Sequence, residues 1–387
     1  MLLAALLAAA PAPLPAQPPA EPRSEIVVTG TSLAATRRAL EECIARKCPA
    51  EEDIRLTLAH AENLFVAGDY TQARTTLRKS IGRNSGEARS LPVPVSNLYR
   101  ANARVSAHLG EGEDYQRSAY RTWSILNEGA GVPDWRRLDA RLEVAKMVTA
   151  LQGKGAGIRA YRQLAAEADR LGRPDVAGIA RLKALWIDYI ANPTNPIEKE
   201  LRQIAADADP RNKTSRLGAL FLLARIERNK GKAGAAADAL VAELARSEFA
   251  RPTLLFEPPV DSVRGDTWGR KSALPAGMPS VTQDLPTDNF DGRWADVGFW
   301  VGPDGRVGDI EILRESGKTP WMKPILASIQ GRIYSPAADG QGHYRVERYS
   351  YTSLWRSRID TKLRVRSQDA RIERLDLTRQ PPPGSGS

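Results

Sequence analysis

ADVGFWVGPDGRVGDIEILRESGKTPWMKPILASIQGRIYSPAADGQGHYRVERYSYTSL, Ala295 to Leu354, reads as strand, tight turn, strand, helix, strand. Val297, Phe299 and Val301 alternate with other residues at the period of a half-buried strand. Gly302-Pro303-Asp304-Gly305 then supplies turn chemistry. Val307 to Leu313 resumes the alternation, with Ile310 and Ile312 on one face and Asp309 and Glu311 on the other, until Ser316-Gly317 breaks it. Trp321 to Ile333 reads as a short helix stopped by Tyr334-Ser335-Pro336. His343 to Trp355 is a long last strand with the character of a sheet edge. The block carries no catalytic residue set.

These elements, in this order and spacing, resemble the C-terminal domain of the TonB family. The matching residues are Val297, Phe299, Val301, Asp304-Gly305-Arg306-Val307, Ile310, Ile312, Ser316-Gly317, Ile325, Ile329, Tyr334 and Pro336, within roughly sixty of 387 residues. The resemblance implies that the domain grips a short extended segment, the TonB box of outer-membrane receptors, by strand addition. By that analogy the gripping strand is Tyr344 to Ser353, with Tyr344, Val346, Tyr349, Tyr351 and Ser353 as binding residues. Tyr349, Tyr351 and Trp355 share one face of it, and Tyr344, Val346 and Leu354 share the other. One face forms the domain core, and the sequence leaves open which. Leu285 to Phe290 stands where the family has a Tyr-Pro lead-in.

Upstream, Glu51 to Glu248 is rich in Ala, Leu and Arg with helical periodicity throughout. It reads as antiparallel helix pairs: Ile54–Ala67 with Thr71–Ile81, Asn97–Leu109 with Asp114–Leu126, and Trp135–Leu151 with Ile158–Leu171. Pro174–Ile190 with Pro196–Ala208 and Leu217–Lys230 with Ala233–Leu244 follow. Ala61, Gly68, Tyr70, Ala73 and Leu77 stand where tetratricopeptide (TPR) repeats place small and aromatic packing residues, so the region resembles a degenerate TPR solenoid. A non-repeating helical bundle is the other reading. The expected fold is therefore multi-domain: an N-terminal all-α, helical-repeat (TPR-like) solenoid followed by a small α+β TonB-like domain.

The domain limits follow. Residues 1–20 read as a signal peptide, 21–50 as an N-terminal segment, 51–248 as the helical domain, 249–290 as a Pro-rich linker, 291–366 as the TonB-like domain and 367–387 as a tail, in which Arg371 to Leu377 alternates in part and reads as one more strand or a loose arm. Met1 to Ala10 is apolar but ends in prolines, too short for the twenty or so residues of a membrane span. Export to the periplasm is the expectation. A transducer whose anchor lies upstream of Met1 is a further reading.

Glu25, Ile26, Val27, Val28 and Thr29 form an extended, box-like segment just past the signal. An ordinary N-terminal strand is the alternative. Cys43 and Cys48 suit a local disulfide, with two free thiols as the second reading and metal a remote third, since only His60 lies nearby.

Net charge is +10, with Arg and acids interspersed as on solvated helix faces. The densest basic run, Arg345 to Arg366, has no nucleic-acid motif beside it, so a contact with lipid headgroups or an acidic partner is preferred over nucleic acid. His60, His108 and His343 form no metal-protease pattern, and Gly317-Lys318-Thr319 lacks the preceding glycine of a phosphate loop. No enzyme, cofactor or metal site is expected. The expected partners are proteins, a TonB-dependent receptor or a component of its system. An envelope scaffold in which the helical domain binds and the sheet domain is structural is the rival. Oligomeric state stays open.

Overall fold

The computed structural model describes residues 31–231, 235–245, 252–258, 260, 290, 292–336, 340–357 and 363–378. The expectations placed on Met1 to Ala10, Glu25 to Thr29, and on residues 261–289 of the linker and 379–387 of the tail lie outside the described residues. A large helical region is followed by a small α+β domain.

Eleven helices come first: α1 (Leu33–Ala45), α2 (Ala50–Val66), α3 (Tyr70–Asn84), α4 (Pro92–Leu109), α5 (Gly112–Glu128), α6 (Asp134–Gln152), α7 (Lys154–Arg170), α8 (Pro174–Ala191), α9 (Glu198–Ala205), α10 (Lys213–Asn229) and α11 (Ala235–Ala245). From α2 to α7 and again at α10 and α11 they pack as the consecutive pairs the periodicity predicts, with most ends within a few residues of expectation, whereas α8 packs mainly on α7 and α10 and α9 mainly on α10, so the expected α8–α9 pair is replaced by a three-helix group. Local chemistry sets the ends. The Ser32 hydroxyl caps α1 by accepting from Ala35 N–H, and the Asp69 carboxylate caps α3 by accepting from Gln72 N–H. Pro92 and Pro174 open α4 and α8, where a missing N–H costs nothing. Cys43 and Cys48 are joined as a disulfide between α1 and α2.

After α11 the chain forms β1 (Leu254–Phe256), β2 (Trp294–Val301), β3 (Val307–Ser316), α12 (Met322–Gln330), β4 (Ile333–Tyr334), β5 (His343–Ser357) and β6 (Arg364–Asp376). The main sheet is antiparallel with order β3-β2-β5-β6, and β1 pairs with β4. One sheet face packs on α12, burying Val297, Phe299, Val301, Ile325, Ile329, Tyr349 and Tyr351 together. Within the stretch read as a linker, Leu255 enters a helical core cluster with Leu217 and Leu240, and Phe256 stacks on Phe221. Among the described residues no helix is long and apolar enough to cross a membrane.

Candidate functional site

Two strand edges and one domain junction emerge from this topology. Strand β5 is not an edge. It lies between β2 and β6, and even its first residues are covered, because Val346 accepts from Leu377 N–H and donates to the Thr378 hydroxyl. The expectation that Tyr344 to Ser353 offers an open row of backbone groups is corrected. The row is filled by β6, which crosses the boundary drawn at 366/367 and extends into the stretch read as tail. Tyr349 and Tyr351 belong to the core against α12, and Ser353 is buried. Tyr344 keeps some exposure, with its hydroxyl donating to Glu311 at 3.0 Å.

The opposite face of β5 explains this closure. Arg348, Ser350 and Thr352 are polar and alternate with the tyrosines, yet Arg348 is 0% exposed and Ser350 1%. Their partners are helix ends. The last carbonyls of a helix have no partner within it and carry its negative pole. Arg348 donates to the α2 carbonyls of Phe65 and of Val66 (2.8 Å), pairs with buried Asp296, and lies 3.9 Å over the Trp294 ring. Arg366 of β6 does the same for α4, donating to Leu109 O at 2.9 Å. Trp355 N–H donates to Gly110 O at 2.9 Å.

Two turn glycines permit the approach. Gly68 and Gly110 have φ of 86° and 73°, which L side chains rarely adopt. A methyl group at Gly68 would overlap the Trp294 indole, and one at Gly110 would overlap the Ser353 carbonyl. The same glycines that turn one helix into the next therefore seat the sheet.

At the centre of the junction Ser350 Oγ lies 2.9 Å from Tyr70 Oη and 2.7 Å from His108 Nδ1. That is nucleophile–base spacing, but Ser350 sits in an interior strand with almost no exposure, so the pair fastens the domains instead of meeting a substrate. Burial, with the charges of Arg348 and Lys146, pushes His108 down to about 3. An unfolded histidine titrates near 6.5. Protons therefore bind the unfolded chain preferentially between the two values, and stability falls as pH drops through this window. Asp53 and Asp114, held low by hydrogen bonds with Arg83 and Arg74 against their burial, add acid loss only at lower pH. Between pH 7 and pH 5 the wild type should lose about 2 kcal/mol more stability than His108→Gln, read from urea midpoints. Equal losses would dismiss the assignment.

The true edges are β3 and β6. Strand β3 is interrupted. Its register with β2 slips between Asp296 and Val297 and again between Gly298 and Trp300, and Asp309 has φ of 48°. Such bulges, with Asp309, Glu311, Arg314 and Glu315, guard an edge against pairing.

Strand β6 differs. Its register runs unbroken from Glu347↔Asp376 to Ser353↔Ala370. Leu377 N–H points to β5, so by antiparallel alternation the main chain of residues 371, 373 and 375 also turns inward. That of Ala370, Ile372, Arg374 and Asp376 turns outward. Among the described residues no strand pairs with this outer side and no helix packs closely along it. Lys146 of α6 and Lys183 of α8 are exposed and have no ion-pair partner among the described residues. Burial, Lys146 and Arg374 hold the Lys183 pKa below the usual lysine range. The sequence leaves Arg371 to Leu377 open between one more strand and a loose arm, because β6 carries its charges, from Arg371 to Asp376, on both faces; the structure makes it a strand.

Compared with models of known families and with curated proteins, the chain matches none.

Proposed function

We propose that this protein is an exported interaction protein that binds an extended segment of a partner by strand addition, and that it serves TonB-dependent outer-membrane transport. The observation that carries the reading is the outer row of β6. Four residues turn their main chain outward over seven continuous positions, beside the lysines of α6 and α8. The TonB-like grip is thus displaced by one strand: β6 occupies the place beside β5, and the partner adds outside it. The helical region, TPR-like in its paired helices and turn glycines, supplies the basic wall and favours segments carrying Asp or Glu. The chain's own Ser24–Gly30, with Glu25 leading three β-formers, has the chemistry of such a segment.

Titration of a fluorescein-labelled Ser24–Gly30 peptide, followed by anisotropy, should give saturable binding that a scrambled peptide lacks. Lys183→Glu should weaken it about tenfold, equivalent to about 1.4 kcal/mol. Equal binding of both peptides would reject the proposal.

A second reading has its own observation. Arg348 and Ser350, on the sheet face away from α12, are spent on the helices, as in an envelope scaffold whose sheet domain is structural. Wild type that binds no extended peptide would favour it.

A further inference from the structure

One short segment, Pro252 to Pro258, lies between the helical region and the sheet domain and is held by both. Its strand β1 is three residues long and faces the two residues of β4, with a break in register between Leu254 and Phe256. So short a ladder holds a segment weakly by itself. Side chains supply the rest. On the sheet side, Ser335 N–H donates to Thr253 O at 2.8 Å, and Ser335 Oγ accepts from Thr253 N–H at 2.9 Å. Ser328 Oγ donates to Pro258 O at 2.7 Å, and Arg345 donates to Pro252 O. On the helix side, Phe256 stacks on Phe221 of α10 at 5.0 Å between centroids and meets Trp186 of α8 edge-on at 5.9 Å. The Arg225 guanidinium lies 4.5 Å over the same ring. Partial strand pairing, main chain gripped by side chains and an aromatic residue in a pocket are how a domain holds a bound peptide.

The acid makes this seat selective. Glu257 Oε1 accepts from Arg332 at 2.6 Å and from Arg374 at 2.7 Å. Arg332 is buried and also donates to buried Glu347 at 2.8 Å. Among the described residues the set balances, two arginines against two carboxylates. Without Glu257, Arg332 and Arg374 share the one remaining carboxylate, Glu347. Leaving a buried cation short of its partner is costly, so an occupant must bring a carboxylate to this point. It must also bring an aromatic ring one position earlier, to fill the space against Phe221 and Trp186.

We propose that this seat is a recognition site for a short protein motif, an aromatic residue followed by a carboxylate and a proline, which a partner chain inserts in place of the resident Phe256-Glu257-Pro258. The contacts of Arg348 with the end of α2 use none of these residues, so sheet and helices stay joined when the segment leaves. The seat meets the outer row of β6 only at Arg374.

The test uses a fluorescein-labelled peptide of residues 252–260, read by anisotropy, and a control peptide carrying Phe256→Ser and Glu257→Ser. In the wild type the resident segment competes as a tethered ligand, at an effective concentration on the order of millimolar. The full chain carrying Phe256→Ser and Glu257→Ser has a vacated seat, and should bind the labelled peptide at least about tenfold more tightly than the wild type does. The control peptide should bind neither chain, and excess unlabelled Ser24–Gly30 peptide should leave the labelled one bound. The wild type gives a reading that needs no variant. Millimolar peptide carrying Phe256→Tyr, whose mass sets it apart from the resident segment, should speed hydrogen exchange at Leu254 to Phe256 at least about tenfold and leave Val297 to Val301 unchanged. Equal affinity for the wild type and the vacated chain, displacement by Ser24–Gly30, or unchanged exchange at Leu254 to Phe256 would each overturn the seat.

Discussion

Replacing Arg348 with alanine should cost about 3–5 kcal/mol of stability and loosen the sheet from the helices. Asp296, the end of α2 and the Trp294 ring each lose a contact at once. Asp296, 1% exposed, keeps only Arg314 at 2.6 Å. The Phe65 and Val66 carbonyls at the end of α2 lose a donor in a place that water reaches poorly. The Trp294 indole loses the guanidinium 3.9 Å above it. The size of the effect comes mostly from buried groups left short of donors, Asp296 with Arg314 alone and Phe65 O with only the Gly68 N–H, not from the worth of the ion pair itself. A second substitution separates these contributions. Arg348→Met combined with Asp296→Leu removes both buried charges and fills their volume, and should recover part of the loss. Urea midpoints measure the energies, and limited proteolysis of the α2–α3 turn reports the loosening. An Arg348→Ala chain as stable as the wild type, and equally resistant at Gly68, would refute the account of the junction.

The junction also shows which parts of the fold the sequence made legible. Helix pairs were readable because Ala61, Ala73 and Leu77 recur at helical spacing, and all three are buried. The hairpin of β2 and β3 was readable from Val297, Phe299 and Val301 with the Asp304-Gly305 turn, and all five are buried except Asp304. Tyr349 and Tyr351 were rightly set apart from the other face of β5, but the sequence did not say that theirs is the core face.

What remained illegible has one physical cause. Arg348, Ser350 and Thr352 alternate with the tyrosines, and a polar alternate face ordinarily meets water. Here Arg348 meets the carbonyl end of α2, Ser350 meets Tyr70 and His108, and Thr352 accepts from Arg366, which also donates to the end of α4. Composition cannot distinguish a solvated polar face from one satisfied by helix ends. The same limit left β6 half-read: the partial alternation of Arg371 to Leu377 fits a strand or a loose arm, and only the structure shows Arg366 holding α4 and a register with β5 unbroken from Ala370 to Asp376.

Ile372→Pro should abolish the binding of extended peptides while leaving the fold in place. Proline lacks an N–H, so its effect depends on where that N–H points. At Ile372 it points away from β5, because the inward bonds of this ladder belong to residues 371, 373 and 375. Edge strands tolerate proline at such positions. Loss of one outward donor, together with a ring filling the place of an approaching carbonyl, should lower affinity for the Ser24–Gly30 peptide by at least about thirtyfold, or about 2 kcal/mol. Glu373→Pro is the contrasting variant. It strikes an inward donor paired toward Ser350, so it should destabilise the whole chain by about 3 kcal/mol in addition to weakening the peptide. Peptide affinity that survives Ile372→Pro would place the partner elsewhere. If Ile372→Pro instead unfolds the chain as Glu373→Pro does, the orientation assigned to the two rows of β6 is inverted.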